Sequence, residues 1–303
     1  MSVLESKSQE SESVVVSLGE TEEGVSGYAF ASLAAPYEYP SQTGGNSQRW
    51  LKWGLSGAQM VRLSIVRGGR ELSNEGGAFL HDLFASDAFK AALPIPFGKL
   101  KSDGRISFRP LKVTATSLSL FDPLVVADAL REGSDGKIFI PGRMEENWDG
   151  LSIANTAREV LCLPSAGDPF SEDPSGEAQS MLQPNRFSDA VPDAVREELL
   201  WSLARWVVAG GGMCQYEDVW EPYAEAVRDV ARDVLSVVRA AGDEEGAPPK
   251  VVSTAWKVDR VEGGKGFANL FPNDNVHNVC LVIGDPLKRI VHILWSPFNP
   301  WSP

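Results

Sequence analysis

The sequence predicts an α+β protein in which a helical hairpin packs against a largely antiparallel sheet. Two observations carry this prediction. Residues from about 192 to about 241 include two stretches in which apolar residues recur with the period of an α-helix, and three glycines lie between them. Near the C terminus, the apolar runs Val276–Ile283 and Arg289–Trp295 are joined by a short turn, which outlines a β-hairpin. Further strand-like stretches occur early in the chain, so we expect the sheet to draw strands from both ends.

The helical hairpin is predicted from apolar periodicity and from the residues expected to begin and end each helix. Pro192 suits a first turn and Gly210 suits a left-handed C-cap, so the first helix should run from Pro192 to Ala209. The second should run from Tyr223 to about residue 241, with Asp218 and Glu221 as a variant capping box and Pro222 in the tolerated first turn. Its valine stripe should be core: Val227, Val230, Val234, Val237 and Val238.

The other elements follow from local patterns. Residues 1–24 are rich in Ser and Glu and are predicted to be a disordered acidic tail, apart from a short apolar stretch at Val14–Leu18. Residues 25–303 are predicted to form a single globular domain with a mobile Pro-rich and acidic insertion at about 163–191. Within that domain we expect, in order, a strand near Tyr28–Phe30, a packed apolar patch over Arg49–Ile65, short helices in Ala78–Leu93, turns in Pro94–Pro110, a strand at Val113–Leu120, a helix at Leu124–Arg131, a strand at Lys137–Ile140, a helix at Ser152–Leu161 and a strand at Val251–Val261.

Composition limits the classes of partner. The chain has 303 residues, 43% of them hydrophobic, and a formal net charge of −13. Binding to a phosphate backbone would therefore work against long-range repulsion, and nucleic acid is not an expected partner. Cys162, Cys214 and Cys280 are few and far apart, which is typical of a reducing compartment. The N terminus lacks the basic and apolar plan of a signal peptide and no apolar run approaches the length of a membrane span, so we expect a soluble intracellular protein without a membrane partner.

No catalytic or metal-binding motif emerges from the residues. The three histidines are His81, His277 and His292, and none begins the His-x-Asp/Glu pattern of a facial iron site. The glycines at Gly210–Gly212 and Gly263–Gly266 lack the GK[ST] ending or the spacing of a nucleotide-binding loop. We therefore expect no enzyme, no metal and no cofactor.

One alternative remains for the C-terminal strands. Arg289 lies twelve positions after His277, and two-oxoglutarate oxygenases place a carboxylate-binding arginine at a similar distance from their last histidine ligand. This spacing is similar to that of their double-stranded β-helix, here without the metal ligands. On this alternative the fold is a degenerate double-stranded β-helix that binds 2-oxoglutarate, or a similar dicarboxylate, through Tyr216, His277, Lys288 and Arg289. The competing interpretation is that Lys288 and Arg289 are hairpin-turn charges that face water.

The segment between the two predicted helices is the candidate site for a protein partner. It places three aromatic side chains within eight residues, beside the adjacent carboxylates of Glu217 and Asp218, and aromatic residues are typical anchors of protein interfaces. The same aromatics could instead wedge the hairpin against the sheet. The candidate partner-binding residues are Cys214, Gln215, Tyr216, Glu217, Asp218, Trp220, Pro222 and Tyr223.

This segment also resembles a known family. The string Cys214-Gln-Tyr-Glu-Asp-Val219, followed by Glu221-Pro-Tyr223 and a helix ending near Asp233–Val237, resembles the family of cilia- and flagella-associated protein 300. The resemblance is strongest over about 197–258, and weaker similarities occur at Arg49–Leu55 and Asp285–Arg289. It implies a non-enzymatic adaptor of the cytoplasm and the cilium or flagellum (axoneme), needed to assemble axonemal dynein arms and to deliver them by intraflagellar transport. The implied partners are dynein preassembly factors, axonemal dynein and the intraflagellar transport machinery.

Overall fold

A computed structural model describes residues 14–17, 27–33, 38–68, 72, 76–93, 105–143, 147–148, 151–163, 187–211, 216–239, 249–262 and 270–298. The strands are β1 (Val14–Ser17), β2 (Ala29–Ser32), β3 (Gln59–Arg67), β4 (Arg105–Leu111), β5 (Arg131–Glu132), β6 (Ile138–Phe139), β7 (Asn147–Trp148), β8 (Leu151–Ser152), β9 (Val237–Val238), β10 (Lys250–Val251), β11 (Thr254–Glu262), β12 (Val279–Asp285) and β13 (Ile290–Ser296). The α-helices are α1 (Gly45–Lys52), α2 (Gly76–Ala85), α3 (Asp87–Ala92), α4 (Asp122–Val126), α5 (Thr156–Cys162), α6 (Asp193–Arg196), α7 (Leu199–Ala209) and α8 (Glu221–Val234). Short 3₁₀ helices occur at Pro40–Gln42, Leu118–Phe121 and Ser188–Ala190.

Seven strands form one sheet in the order β1-β4-β11-β12-β13-β3-β2, and every neighbouring pair is antiparallel. The predicted α+β class, with a largely antiparallel sheet built from both ends of the chain, is confirmed. The alternative of a degenerate double-stranded β-helix is not confirmed, because these strands lie side by side in one open sheet with β1 and β2 at its edges. The remaining strands form three separate two-stranded pairs within the described ranges.

Helices cover both faces of the sheet, and this explains the continuous apolar character of its central strands. Leu281 and Ile283 of β12 lie in one core cluster with α5, α7 and α8, whereas Cys280 and Val282 lie in another with α2 and α3. All seven residues of β12 are buried. A strand covered on both faces has no solvent side, so it needs no alternation of apolar and polar residues.

The predicted helical hairpin is present, but its first helix is interrupted. Glu198 is extended, with ψ 142°, and it separates α6 from α7. The cause is a tertiary contact: the Lys112 N–H donates to the Glu197 carbonyl at 2.9 Å, and the Leu199 N–H donates to the Lys112 carbonyl at 2.8 Å. Because the backbone here pairs with a distant segment, one continuous helix from Pro192 to Ala209 is wrong.

The second helix ends earlier than predicted. Leu235 is extended, and Ser236 is held by two bonds: its N–H donates to Ser253 Oγ at 2.9 Å and its hydroxyl donates to Asp285 Oδ2 at 2.5 Å. The chain then continues as β9, which pairs with β10. Val227, Val230 and Val234 are buried as predicted, but Val237 is 51% exposed and does not belong to the core stripe.

The predicted capping box at the start of this helix is wrong. Trp220 occupies the N-cap position, and no side chain caps the helix there. Glu221 instead accepts a hydrogen bond from the Ile138 N–H at 2.9 Å. Pro222 does lie in the first turn, as predicted.

The early strand assignment also shifts along the chain. The strand predicted at Val113–Leu120 is wrong, because those residues contain no strand and Leu118–Phe121 is a 3₁₀ helix. A strand, β4, lies instead at Arg105–Leu111, and all but its last residue fall inside the range Pro94–Pro110 that was predicted to consist of turns. Pro110 concealed it, since proline removes a donor from the ladder. Pro110 lies beyond Phe108, the last β4 residue paired with β1, and it faces Trp256 on β11. The missing N–H therefore leaves no strand unpaired on the β1 side.

The proposed domain division stays a prediction. Much of the expected N-terminal tail and of the insertion at about 163–191 lies outside the described residues. Within the expected tail, β1 is present and pairs with β4.

Candidate protein-interaction surface

The candidate segment connects α7 to α8, and glycine backbones hold its start. Gly210 closes α7, as the sequence predicts, but its φ of 61° and ψ of −153° lie outside the left-handed α region of the predicted C-cap, in a region that glycine adopts readily. The Gly211 N–H donates to the Trp53 carbonyl at 2.8 Å, and a Cβ on Gly211 would lie 2.4 Å from the Gly54 carbonyl oxygen. These glycines therefore permit a close approach between the segment and the end of α1. Cys214 and Gln215 lie outside the described residues.

Two of the three aromatic candidates belong to the core. Tyr223 is fully buried, and its ring centroid lies 4.9 Å from that of Trp53. Trp220 is 5% exposed and meets Phe121 edge to face at 5.3 Å. The structural interpretation, in which aromatics wedge the hairpin against its neighbours, describes both of these residues.

Glu217 and Pro222 attach the segment to α1. The Lys52 Nζ lies 2.7 Å from Glu217 Oε1, and the Trp53 indole N–H donates to the same oxygen at 3.0 Å. The Pro222 carbonyl accepts from the Arg49 guanidinium at 3.4 Å. These bonds use the Glu217 carboxylate within the protein, and they fix the position of the residues on either side of it.

A short backbone ladder fixes the other side of the segment. The Ile140 N–H donates to the Asp218 carbonyl at 2.8 Å, and the Trp220 N–H donates to the Ile138 carbonyl at 2.8 Å. Phe139 and Val219 are therefore direct partners across this bridge. The ladder leaves the Asp218 side chain exposed on a backbone that is held in place.

Tyr216 is positioned by a buried arginine. Arg158 is only 2% exposed, and its guanidinium donates to the Val208, Ala209 and Ser152 carbonyls. Two of these acceptors are at the C-terminal end of α7, where a cation also favours the helix dipole. The Arg158 Cζ lies 4.9 Å from the Tyr216 ring centroid, so the cation supports one face of a ring that is 40% exposed.

The structure adds two exposed apolar residues that sequence reasoning did not select. Leu51, next to Lys52 on α1, is 65% exposed, and Phe139, opposite Val219, is 41% exposed. Leu51 belongs to the apolar patch that was expected to be packed, but within that patch Trp50 and Trp53 are buried and Leu51 is not. We define the 216–219 surface as Tyr216, Asp218, Phe139, Leu51 and Lys52. No sequence pattern marks either Leu51 or Phe139, because α1 has only eight residues and β6 only two.

The residues of the alternative ligand site are not brought together. His277 precedes β12, and Arg289 belongs to the turn that follows it. The seven residues of β12 separate them by roughly 20 Å at about 3.4 Å per residue. Arg289 has φ 54° and donates from Nε to the Ile65 carbonyl at 2.9 Å. Lys288 is 59% exposed and lies 3.6 Å from Asp285, which agrees with the interpretation of hairpin-turn charges.

The described residues contain no group of three or more His, Cys, Asp or Glu side chains arranged to hold a metal ion. His277 is buried, with its ring 5.0 Å from that of Phe298. His292 is buried too, and its Nδ1 lies 3.0 Å from the Tyr39 hydroxyl. In the described parts of the chain, no helix is both long and apolar enough to cross a membrane.

The structure is that of an α+β protein whose candidate site presents exposed apolar and charged side chains on a backbone held by buried aromatics. Comparison with known proteins shows what the chain is similar to. Residues 187–296 match the model of the family described as Cilia- and flagella-associated protein 300, so the resemblance seen in the motifs is confirmed and extends beyond 197–258.

Two curated relatives carry the same description. The chain is 28% identical to Cilia- and flagella-associated protein 300 of Chlamydomonas reinhardtii over 235 residues, which cover 75% of this chain and 81% of the relative. It is 26% identical to the protein of that name in Paramecium tetraurelia over 221 residues, covering 71% of this chain and 73% of the relative. No solved structure matches the chain significantly.

Proposed function

We propose that this protein is a cilia- and flagella-associated protein that acts as a non-enzymatic adaptor in the assembly and intraflagellar delivery of axonemal dynein arms. The observation that carries the proposal is the family match over 187–296, which includes the whole candidate segment. On this proposal the protein works in the cytoplasm and in the cilium or flagellum. Its partners are dynein preassembly factors, axonemal dynein and the intraflagellar transport machinery.

The 216–219 surface supports an adaptor role by its chemistry. Aromatic residues near the centre of an interface supply a large share of its binding energy, and charged neighbours set orientation. Tyr216 and Phe139 are partly exposed aromatics, and Lys52 and Asp218 provide charges of both signs beside them. Their backbones are held by the Glu217 bonds and by the ladder to Ile138 and Ile140. A surface ordered before binding pays less conformational entropy when a partner docks.

The cellular part of the proposal is tested by depleting the protein from the ciliated or flagellated cells that carry it. We expect fewer dynein arms in axonemal cross-sections viewed by electron microscopy, and less dynein heavy chain in isolated axonemes. A tagged copy should restore both and should be found in cytoplasm and cilium. Normal arms after complete depletion would remove the dynein role, and a tagged copy that never enters cilia would remove the delivery role.

The surface itself is tested with a matched pair of double variants. Tyr216→Ser with Phe139→Ser removes two exposed aromatics from the 216–219 surface. The control, Leu287→Ser with Val66→Ser, removes exposed apolar side chains (62% and 58% exposed) from other sites. In affinity purification from ciliated cells, the first variant should lose dynein-related partners and the control should retain them, while both melt near the wild-type temperature. Equal recovery of partners by the two variants would show that the surface is not the docking site.

A further inference from the structure

A groove lies beside the C-terminal half of α8, away from the 216–219 surface. It has a volume of about 470 Å³, which is within the range of sites that hold ligands or peptide side chains. One wall is the chain from Ala115 to Leu118, and the other is α8 together with Leu235 and Val237, which follow it. Leu200 of α7, 3% exposed, contributes to the lining from the core side.

Both walls are held in place by contacts with the core. Glu198 is 5% exposed, and its carboxylate accepts the Thr114 N–H at 3.1 Å and the Ala115 N–H at 3.3 Å. On the opposite wall, the two Ser236 bonds to Ser253 and Asp285 fix the chain where α8 ends. The groove is therefore formed before any partner binds, which lowers the entropic cost of docking.

The lining combines apolar surface with positive charge. Leu118, Ala231 and Leu235 are partly exposed, and Val237 is 51% exposed. The charged residues among the described lining residues are both arginines, Arg228 and Arg232. This is a local excess of positive charge on a protein whose formal net charge is −13.

The two arginines form few ion pairs with the described part of the protein. Arg228 is exposed and forms no ion pair within the described part of the chain. Arg232 has a side chain that is 71% exposed, and it lies 3.5 Å from Asp229, an exposed contact of small energetic value. The nearby Asp233 is turned away, because its carboxylate accepts the Ser41 N–H at 2.9 Å.

The spacing of the arginines defines what they can receive. Arg228 and Arg232 are four residues apart on α8. Their Cα atoms are therefore separated by about 6 Å along the helix axis, and the two residues lie on the same face of the helix. Two carboxylates at the same separation occur on a helix with acidic residues four positions apart. Guanidinium groups pair with carboxylates through two parallel hydrogen bonds.

We propose that this groove docks an acidic, amphipathic helical segment of a partner protein, with two carboxylates on Arg228 and Arg232 and an aliphatic side chain between Leu118, Leu235 and Val237. Recognition of an amphipathic helix by a groove is an established mode of peptide binding. This surface is separate from the 216–219 surface, and the proposal does not depend on the identity of the ciliary partner.

The test uses the full chain and a synthetic probe. The probe is a fluorescein-labelled helical peptide with the 14-residue length of α8, carrying Leu on one face and pairs of Glu four residues apart, and its twin has Gln at every Glu. By fluorescence anisotropy we expect the Glu peptide to bind with a dissociation constant on the order of 10 μM. The Gln peptide should bind at least tenfold more weakly, a difference of about 1.4 kcal/mol in binding free energy. Added salt should weaken the binding of the Glu peptide, because it screens the charges.

Variants locate the binding. Arg228→Glu with Arg232→Glu should abolish binding of the Glu peptide. The control Arg105→Glu changes an exposed arginine on β4 and should leave binding within a factor of two. Val237→Ser keeps both arginines, removes one apolar wall residue at an exposed position, and should weaken binding severalfold. Melting temperatures of all variants confirm that each is folded.

Three results would overturn the proposal. The first is no saturable binding of the Glu peptide, and the second is equal binding of the Glu and Gln peptides. The third is binding that appears only after Asp243, Glu244 and Glu245 are changed to amides, which would make the chain's own acidic stretch after α8 the occupant instead of a partner.

Discussion

Val230 and Arg232 lie two residues apart on α8 but in opposite environments. Val230 is 1% exposed, whereas the Arg232 side chain is 71% exposed. Helical geometry turns neighbouring positions by about 100° each, so one helix serves both core and surface. At the scale of single residues, substitutions at these two positions compare the contribution of a core residue and of a surface residue to the free energy of unfolding.

Val230→Asp should destabilise the protein by about 4 kcal/mol, because it removes a buried apolar side chain and buries a carboxylate without a partner. Chemical denaturation measures this free energy of unfolding. Arg232→Asp, the matched control on the same helix, should change it by less than about 1 kcal/mol. If the two variants unfold alike, the valine stripe is not core.

His292 gives the stability a dependence on pH. The pKa of His292 is lowered to about 4, mainly by burial and also by the positive charges of Arg62 and Lys288, while Asp285 opposes the shift. The unfolded imidazole takes up a proton below about pH 6.5, but the folded one does so only near pH 4. The unfolded state therefore binds more protons between these values, and stability is lost as the pH falls through this window.

For this group alone, the loss between pH 7 and pH 5 should be about 2 kcal/mol. Urea denaturation at the two pH values measures it in the wild type and in His292→Asn, which removes the titration and keeps a polar atom near the Tyr39 hydroxyl. The variant should show a smaller difference between the two pH values, by about the same 2 kcal/mol. An unchanged difference would show that other groups cause the pH dependence.

At the scale of elements, the approach of two glycines sets how α1 meets the end of α7. Gly54 has φ 69°, and its backbone lies against Gly211. A side chain at either position would separate the two elements, and the bond from Gly211 to the Trp53 carbonyl would be lost or lengthened. The same contact places Glu217 within reach of Lys52 and Trp53.

Gly211→Ala should cost about 2 kcal/mol or more, because the new Cβ would lie 2.4 Å from the Gly54 carbonyl oxygen and backbone would have to move. Thermal unfolding measures the loss. Gly57→Ala is the control, since a Cβ at that position meets nothing within 4 Å, and it should be close to neutral. Two equally stable alanine variants would mean that the contact between these glycines is not required.

At the scale of the whole molecule, the central strands of the sheet are covered on both faces, whereas its edge strands have fewer partners. β12 lies between β11 and β13, and helices cover both of its faces. β2 is an edge strand of four residues that pairs with β3 alone. Local opening should therefore cost much more at the centre of the sheet than at this edge.

Hydrogen exchange followed by mass spectrometry tests this gradient. Peptides from β12 and β13 should exchange slowest, at a rate set by global unfolding, and peptides from β2 should exchange much faster. Fast exchange across β12 would contradict the three-layer arrangement of helix, sheet and helix.

Sequence patterns predicted the elements whose signals are long and local. The helical hairpin and the burial of Val227 and Val230 follow from apolar periodicity over ten or more residues. The final two strands follow from continuous apolar runs of about seven residues that are separated by a turn. The family resemblance follows from the string that begins at Cys214. None of these depends on which distant segments meet.

The candidate site was predicted only in outline, because burial within it depends on neighbours that are far away in sequence. Trp220 and Tyr223 look like Tyr216 in the sequence, but Phe121 and Trp53 cover them. Leu51 and Phe139 join the exposed surface because α1 and β6 pack beside it. A pattern of residue types along the chain does not contain those contacts.

The sequence by itself determined that a helical hairpin occupies the region of residues 192–241, that the two C-terminal apolar runs are strands, and which family the chain resembles. The tertiary structure decided where those stretches stop and which side chains remain outside. Pairing with Lys112 divided the first helix at Glu198, and the Ser236 bonds ended the second at Val234. Helix propensity amounts to a few tenths of a kcal/mol per residue, so a backbone pairing that satisfies buried polar groups prevails over it.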